Sequence, residues 1–268
     1  MWTSIKTVIT ECYSNRYRLF RLACYELKAQ NNGTVFGFFW NLLNPALQIL
    51  IYWFVFEIGL NAAAPRDGYP YIIWMIFGII PWFYLSTSLV GSTGAIFNFS
   101  GVLKRMNFPP AVVPVKTVLS AFLGHLLAMC VVFSIFFLCG YGVGFNALWL
   151  IYFMFCSVAF LIGYVLFASA ITVVFKDFQK LMNSIIRLLF YISPVVWSPE
   201  RLPENLRFVL KLNPLAYIID GYRESVLYNH GLLFHWKQGV YFWAFTLILF
   251  IVGCVVHMRL RKQFMDLI

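Results

Sequence analysis

The chain has 268 residues, of which 62% are hydrophobic and only 11% are charged, and its formal net charge is +10. Soluble domains carry roughly 25% charged residues, so this composition excludes an ordinary water-soluble domain and indicates a protein whose solvent is lipid. The charges sit at the ends of apolar runs, which favours a membrane surface over nucleic acid as their partner. The six cysteines form no CxxC pair and are expected to be free thiols.

The N-terminal segment, residues 1–36, is basic and lacks the short apolar core of a cleavable signal peptide. Within it, residues 12–31 place Arg18, Arg21 and Tyr25 at helical spacing. This pattern predicts an amphipathic interface helix along the inner membrane surface. A basic flank that serves only topology is the alternative.

Six apolar stretches are long enough to cross a bilayer, which takes about 20 residues. They are 37–60, 70–97, 111–140, 146–174, 181–198 and 238–258. With the N-terminus inside, thirteen of the 20 Lys and Arg residues face the cytoplasm, and the tail, 259–268, returns there. The prediction is one domain over 1–268: an all-α membrane protein with six transmembrane helices and both termini cytoplasmic.

The long segment between the fifth and sixth spans contains two short amphipathic patterns, at 203–212 and 213–228. Asn213 is the predicted N-cap of the second helix, with Pro214 at its first position. Each helix is too short to cross the hydrocarbon core. The sequence therefore predicts two short re-entrant or interfacial helices here.

Motifs for nucleotide and metal chemistry are missing from the sequence. No G-x-x-x-x-G-K-[ST] occurs, and "GSTGAIF" at 91–97 lacks the phosphate-binding lysine. The chain is therefore not expected to hydrolyse ATP. No HExxH, Cys/His cluster or EF-hand loop occurs either, so no metal site is expected. His125, inside the third span with no acid nearby in sequence, is expected to be a satisfied structural group.

A polar stripe follows one face of the first span. Gly37, Asn41, Asn44, Gln48 and Tyr52 recur at steps of three or four residues. Amides facing lipid cost several kcal/mol unless they find partners. The stripe should therefore face a bundle, a subunit interface or a watery passage.

A second stripe, Asn183, Arg187, Tyr191 and Pro194, follows the fifth span. An arginine inside a span is costly and indicates function. The alternatives are that Arg187 extends to the inner surface or forms a structural pair. Two inward stripes together suggest a passage for a polar solute.

Five segments carry a family resemblance over nearly the whole chain. They are the basic amphipathic start; the first span, "GFFWNLLNPALQILIYWFVF"; the connection "LKRMNFPPAVVPV" at 103–115; and "YISPVVWSPERLP" at 191–203 leading into "LNPLAYIIDGYRESVLY" at 212–228. With these segments the chain resembles the membrane subunits of ABC-2-type polysaccharide exporters. Within that family it is most similar to teichoic acid translocation permeases, and O-antigen and capsule exporters are the alternatives.

The resemblance implies a homodimer in the plasma (inner) membrane of a bacterium, paired with two copies of a separate ATPase subunit that binds ATP and Mg. It implies no cofactor in this chain, and a lipid-linked polymer as substrate among the membrane lipids. The translocation path would be lined by Trp40, Asn41, Asn44, Gln48, Tyr52, Asn183, Arg187 and Tyr191. The ATPase-coupling residues would be Arg16, Arg18, Lys28, Lys104, Arg105, Met106, Asn107 and Phe108. An outer gate would comprise Tyr217, Asp220, Tyr222 and Arg223.

Three other functions compete with polymer export. An integral membrane transferase would need convergent acidic or histidine groups at one membrane face. An ion- or proton-coupled carrier would need more carboxylates within the spans. Export of drugs or other lipids within the same superfamily is the third.

Overall fold

The computed structural model describes residues 1–30, 33–60, 68–105, 108–199, 202–231 and 236–267. These residues form helices joined by turns, with no strand among them, which confirms the all-α prediction. The α-helices in chain order are α1 (Trp2–Ser14), α2 (Arg16–Ala29), α3 (Trp40–Trp53), α4 (Tyr71–Gly91), α5 (Ala95–Asn98), α6 (Ser100–Arg105), α7 (Val112–Leu138), α8 (Trp149–Val174), α9 (Phe178–Ile192), α10 (Glu204–Lys211), α11 (Pro214–Val226) and α12 (Trp236–Leu267). A π-helical turn, Phe54–Gly59, extends α3.

The N-terminal segment is two helices rather than the single helix predicted over 12–31. The break falls at Asn15, whose side-chain amide donates a 2.9 Å hydrogen bond to the carbonyl oxygen of Glu11. Asparagine favours such local side-chain bonds over continuing a helix, which explains the break. α1 packs against α12 and α2 against α7, so both N-terminal helices lie on the bundle.

Within the described residues, five helices are long and apolar enough to cross a membrane. They are Gly37–Gly59, Tyr71–Gly91, Val112–Leu138, Phe145–Val174 and Trp236–Phe264. These correspond to the first, second, third, fourth and sixth predicted spans. The second is shorter than predicted, because the chain leaves the helix after Gly91 and forms the separate helix α5.

The predicted fifth span, 181–198, is only partly helical. α9 has 15 residues, fewer than the roughly 20 that a crossing needs. It ends at Ser193, whose backbone is extended (φ −76°, ψ 148°). The following Pro194 disfavours helical geometry at Ser193 and cannot donate a helical hydrogen bond, so the sequence itself stops α9 here. The count of six transmembrane helices is therefore not confirmed.

The next two helices have almost the predicted bounds. Asn213 caps α11, because its side-chain oxygen accepts a 3.0 Å hydrogen bond from the Leu215 amide, and Pro214 occupies the first turn, as predicted. α11 packs against α4 and α8 and is mostly buried. Whether α10 and α11 re-enter the membrane stays a prediction.

Contacts distant in sequence define two ends of the bundle. At one, called the charged end here, Glu11 pairs with Arg261 and Glu26 with Lys116. At the other, called the amide end, Asn146 and Asn229 exchange two hydrogen bonds of 3.0 and 2.6 Å.

The segment after α8 begins at the charged end. Lys176 lies over the ring of Phe97. Two residues further along the chain, the ring of Phe99 faces Lys116, which belongs to the charged end. The chain then reaches the amide end at Asn229.

Directly after α9, the Val196 carbonyl oxygen accepts a hydrogen bond from the hydroxyl of Tyr71, the first residue of α4, and the neighbouring Tyr69 packs on Tyr141. α9 and the segment that follows it therefore carry the chain from the charged end towards the amide end.

The tightest helix crossing joins α8 to α12. A Cβ added to Gly253 would lie 2.4 Å from the carbonyl oxygen of Gly163, and one added to Gly163 would lie 2.9 Å from the Phe250 amide nitrogen. Small residues of this kind let membrane helices pack backbone against backbone.

Candidate functional site

The first predicted path stripe lies open on α3. None of the residues of α3 is buried, and Asn44 and Gln48 are exposed, while Trp40, Asn41 and Tyr52 are half-buried. Apolar neighbours such as Leu50 are exposed as well. The sequence predicted that the stripe would be shielded from lipid, but within one subunit the stripe is uncovered.

The second stripe, on α9, is also largely open. Arg187 and Tyr191 are exposed and Asn183 is half-buried. Arg187 Nε donates to the Asn183 carbonyl oxygen at 3.2 Å. Among the described residues no carboxylate lies within ion-pair distance of Arg187, so its charge is available to an outside group.

The two stripes meet at one end. The ring of Tyr52, in the last turn of α3, lies 5.0 Å from that of Phe190, in the last turn of α9. Phe190 contacts Tyr191 at 5.2 Å and Trp82 of α4 at 5.6 Å. The structure thus brings the C-terminal ends of both stripes together against α4.

The predicted coupling residues of α2 lie on the surface. Arg16, Arg18 and Lys28 are exposed, and the Arg16 guanidinium lies 4.7 Å from the Tyr13 ring and 5.0 Å from the Tyr17 ring. Arg16 Nη1 also donates to the Tyr13 carbonyl oxygen at 3.2 Å, so these contacts hold one exposed basic group in a defined place.

The second coupling segment is only partly described. Met106 and Asn107 lie outside the described residues, and Lys104 and Arg105 end α6. Phe108 is half-buried, with its ring 5.7 Å from that of Phe99. Phe108 therefore anchors one side of the connection to the core.

The predicted outer-gate residues lie mostly inside the subunit. Tyr217, Tyr222 and Arg223 are buried, and Asp220 is half-buried, 3.8 Å from Arg223. Asp220 and Arg223, three residues apart on α11, form a local ion pair. Whether these residues form an outer gate stays a prediction.

Arg223 instead connects three parts of the fold. It donates hydrogen bonds to the carbonyl oxygens of Trp74 at 3.2 Å and of Pro194 and Val195 at 2.5 Å each. Sequence reasoning missed this role, because these acceptors are backbone atoms far away along the chain and carry no local signal.

His125 is buried and structural, as expected, but it is only half satisfied, because its Nδ1 has no hydrogen-bond partner among the described residues. It is 4% exposed; its Nε2 lies 2.9 Å from the Tyr222 hydroxyl, and its ring stacks on Tyr84 with centroids 5.0 Å apart. α7 is thus joined to α11 and α4 at this point.

Comparison with known proteins gives the family. The profile of the ABC-2 type transporter family matches residues 17–227. The chain is 27% identical over 245 residues to an O-antigen export system permease protein of Klebsiella pneumoniae, covering 91% of this chain and 92% of that protein. It is 27% identical to an O-antigen export system permease protein of Myxococcus xanthus (84% and 85% covered). It is 24% identical to a polysialic acid transport protein of Escherichia coli (85% and 87% covered). With its membrane-length helices, this chain belongs to the ABC-2 type transporter family.

Proposed function

We propose that the chain is the permease subunit of an ATP-driven exporter of a lipid-linked, cell-surface polysaccharide. The observation that carries the proposal is the pair of open polar stripes on α3 and α9, which place amides and the Arg187 charge on a surface that the subunit leaves uncovered.

Such a surface is unstable against hydrocarbon, because an amide or guanidinium facing lipid loses its water hydrogen bonds. A second copy of the chain would cover it. Two facing subunits would then enclose a passage lined by Asn41, Asn44, Gln48 and Arg187, as the family resemblance implies.

The lining suits a polysaccharide. Neutral amides offer hydrogen bonds to sugar hydroxyls, and the aromatic faces of Trp40, Tyr52 and Tyr191 suit the apolar faces of sugar rings. Arg187 can hold the phosphate of a lipid-linked polymer by charge-assisted hydrogen bonds. Each contact is weak on its own, which lets a long chain slide.

The names of the relatives help to choose the class of polysaccharide that is exported. Two are named for O-antigen export and one for polysialic acid transport. They favour the O-antigen and capsule class over teichoic acid, to which the sequence resemblance first pointed. We therefore assign the cargo to that class.

The topology we propose has six crossings, with α9 and the segment that follows it, as far as Val196, making the fifth. An even count puts both termini on one side, and the Glu11–Arg261 ion pair at the charged end is consistent with this. The excess of Lys and Arg in the terminal segments assigns that side to the cytoplasm.

Coupling to a separate ATPase would use α2 and residues 104–108. Force applied to α2 can pass to α7 through the Glu26–Lys116 ion pair, whose nitrogen and oxygen are 3.3 Å apart. Force applied at Phe108 can pass through Phe99 to the same lysine, which lies 4.6 Å above the Phe99 ring. Lys116 is therefore the point where both inputs converge.

The test is reconstitution of the chain in proteoliposomes with a candidate P-loop ATPase subunit. Lipid-linked polysaccharide should stimulate ATP hydrolysis and enter the lumen, and Arg187→Ala should reduce transport while leaving assembly intact. Lys180→Ala, which removes an exposed cation from the same helix, is the matched control. No complex with the ATPase, or equal transport by both variants, would contradict the proposal.

A further inference from the structure

A cavity lies beneath α2, and one of its walls includes Asn41 of the α3 stripe. It has two adjoining chambers of about 270 Å³ and about 150 Å³, which share Gln30, Thr87 and Ser120 in their walls. The larger lies at the charged end, beside Glu26 and Lys116, and the smaller continues along α7 to His125.

The larger chamber contains one charge of each sign. Among the described residues that line it, Glu26 and Lys116 are the charged ones, with Oε2 and Nζ 3.3 Å apart. The Glu26 side chain is 32% exposed and that of Lys116 is 11% exposed, so the carboxylate lies nearer the mouth. A purely anionic ligand would be repelled by Glu26 and a purely cationic one by Lys116. A ligand with one group of each charge matches both.

Deeper in the cavity, three polar atoms lack partners. The Ser120 hydroxyl, the Tyr84 hydroxyl and His125 Nδ1 have no hydrogen bond among the described residues, and all three residues are at most 4% exposed. A buried polar atom without a partner is unfavourable, so an oxygen-bearing guest is expected beside them. When Tyr222 donates to His125 Nε2, Nδ1 carries the proton and can donate to a carbonyl oxygen. The wall around them, with Leu27, is largely apolar.

We propose that this cavity binds one phospholipid whose zwitterionic headgroup carries a primary ammonium. The ammonium would lie at Glu26, the phosphate at Lys116, and the glycerol ester region at Ser120 and His125. The ammonium, the phosphate and the glycerol esters follow one another in this order along the lipid. The residues that would bind them follow the same order from the mouth of the cavity inward. The bound lipid would fill the space between α2 and α7.

The experiment is native mass spectrometry of the purified, delipidated chain in detergent, titrated with phosphatidylethanolamine, phosphatidylcholine or phosphatidylglycerol. One phosphatidylethanolamine should bind saturably. The other two should bind about tenfold more weakly, because one lacks ammonium N–H donors and the other lacks the positive charge. Glu26→Gln should abolish the preference for phosphatidylethanolamine over phosphatidylglycerol, and Lys116→Met should weaken both.

The matched controls are Asp177→Asn and Lys180→Met, which remove an exposed ion pair of similar geometry (3.2 Å; side chains 68% and 85% exposed). They should leave the preference unchanged. Equal retention of the three lipids by the wild-type chain, or the same losses in the control variants, would overturn the proposal.

A second measurement covers the case in which Lys116→Met does not fold. A photoreactive phosphatidylethanolamine should label α2 and the first half of α7 in the wild-type chain, and unlabelled phosphatidylethanolamine should compete. Labelling confined to other helices would overturn the proposal. So would competition by a lipid-linked oligosaccharide but not by phosphatidylethanolamine, which would assign the cavity to the cargo.

Discussion

The guanidinium of Arg223 lies 3.5 Å from the centroid of the Trp74 ring and donates a hydrogen bond to the carbonyl oxygen of the same residue. One charged side chain thus binds both the face and the backbone of one residue on α4. Since it also bonds to Pro194 and Val195, it fixes the end of α9 against α4 and α11.

Replacing Arg223 with Met should destabilise the subunit by about 3 kcal/mol, because three backbone carbonyls lose a charged donor in a buried place. Thermal unfolding of the purified protein in detergent measures this. Arg187→Met removes an exposed arginine and should have little effect. Equal melting temperatures for the two variants would show that the Arg223 contacts contribute little.

Gly78 should tolerate no side chain while Arg223 is present. A Cβ at position 78 would lie 1.9 Å from Arg223 Nη2 and 2.6 Å from the Val195 carbonyl oxygen. Gly78→Ala should therefore lower the melting temperature by itself. Combined with Arg223→Met it should cost less than the sum of the single changes, because part of the clash has gone. Strict additivity in this cycle would argue against the contact.

The α8–α12 crossing should depend on Gly253. Gly253→Ala forces a methyl group against the Gly163 carbonyl oxygen and should cost about 1–3 kcal/mol. Gly101→Ala is the control, since a Cβ there meets nothing within 4 Å. Unfolding in detergent compares the two variants, and a larger loss at Gly101 would contradict the predicted crossing.

The homodimer should form through α3. In a chain without its native cysteines, Gln48→Cys should give a covalent dimer on mild oxidation in membranes. Phe155→Cys, on the exposed face of α8, should stay monomeric although its side chain is 61% exposed in the subunit. Non-reducing electrophoresis distinguishes them, and crosslinking only through position 155 would place the interface elsewhere.

Cys12 should be a slow nucleophile. Burial of its thiol, with Glu11 beside it, raises its pKa to about 11. The thiolate is the reactive form, so alkylation should keep accelerating up to pH 11 instead of levelling off near pH 9. Maleimide labelling of a variant with Cys12 as its single cysteine, native against denatured, tests this. A plateau near pH 9 in the native protein would mean that the thiol is open to water.

Local patterns in the sequence predicted much of the fold. Apolar length located five helices of membrane length, and the pair Asn213–Pro214 located the start of α11. The break at Asn15 and the stop at Pro194 are also local, yet the predicted helices ran through or across them. At both positions the prediction followed the hydrophobic periodicity and overlooked a residue that disfavours a helix.

The sequence did not predict the role of Arg223, because that role depends on contacts between residues that are far apart in the chain. Arg223 had the spacing of a surface ion pair, but its acceptors lie 149, 29 and 28 residues away. Its burial follows from the packing of α11 on α4, which periodicity within a short helix does not contain. The polar stripes on α3 and α9 were visible because helical spacing alone puts their members on one face.

The Glu11–Arg261 ion pair has a consequence for synthesis. The two residues are separated by 250 positions, so α1 leaves the ribosome long before its partner on α12 exists. Until α12 is made, α1 can pack only on α2 and α7, and the apolar cluster around Val8 lacks Cys254. A chain that stops short of α12 would therefore leave part of the apolar face of α1 without its packing partner.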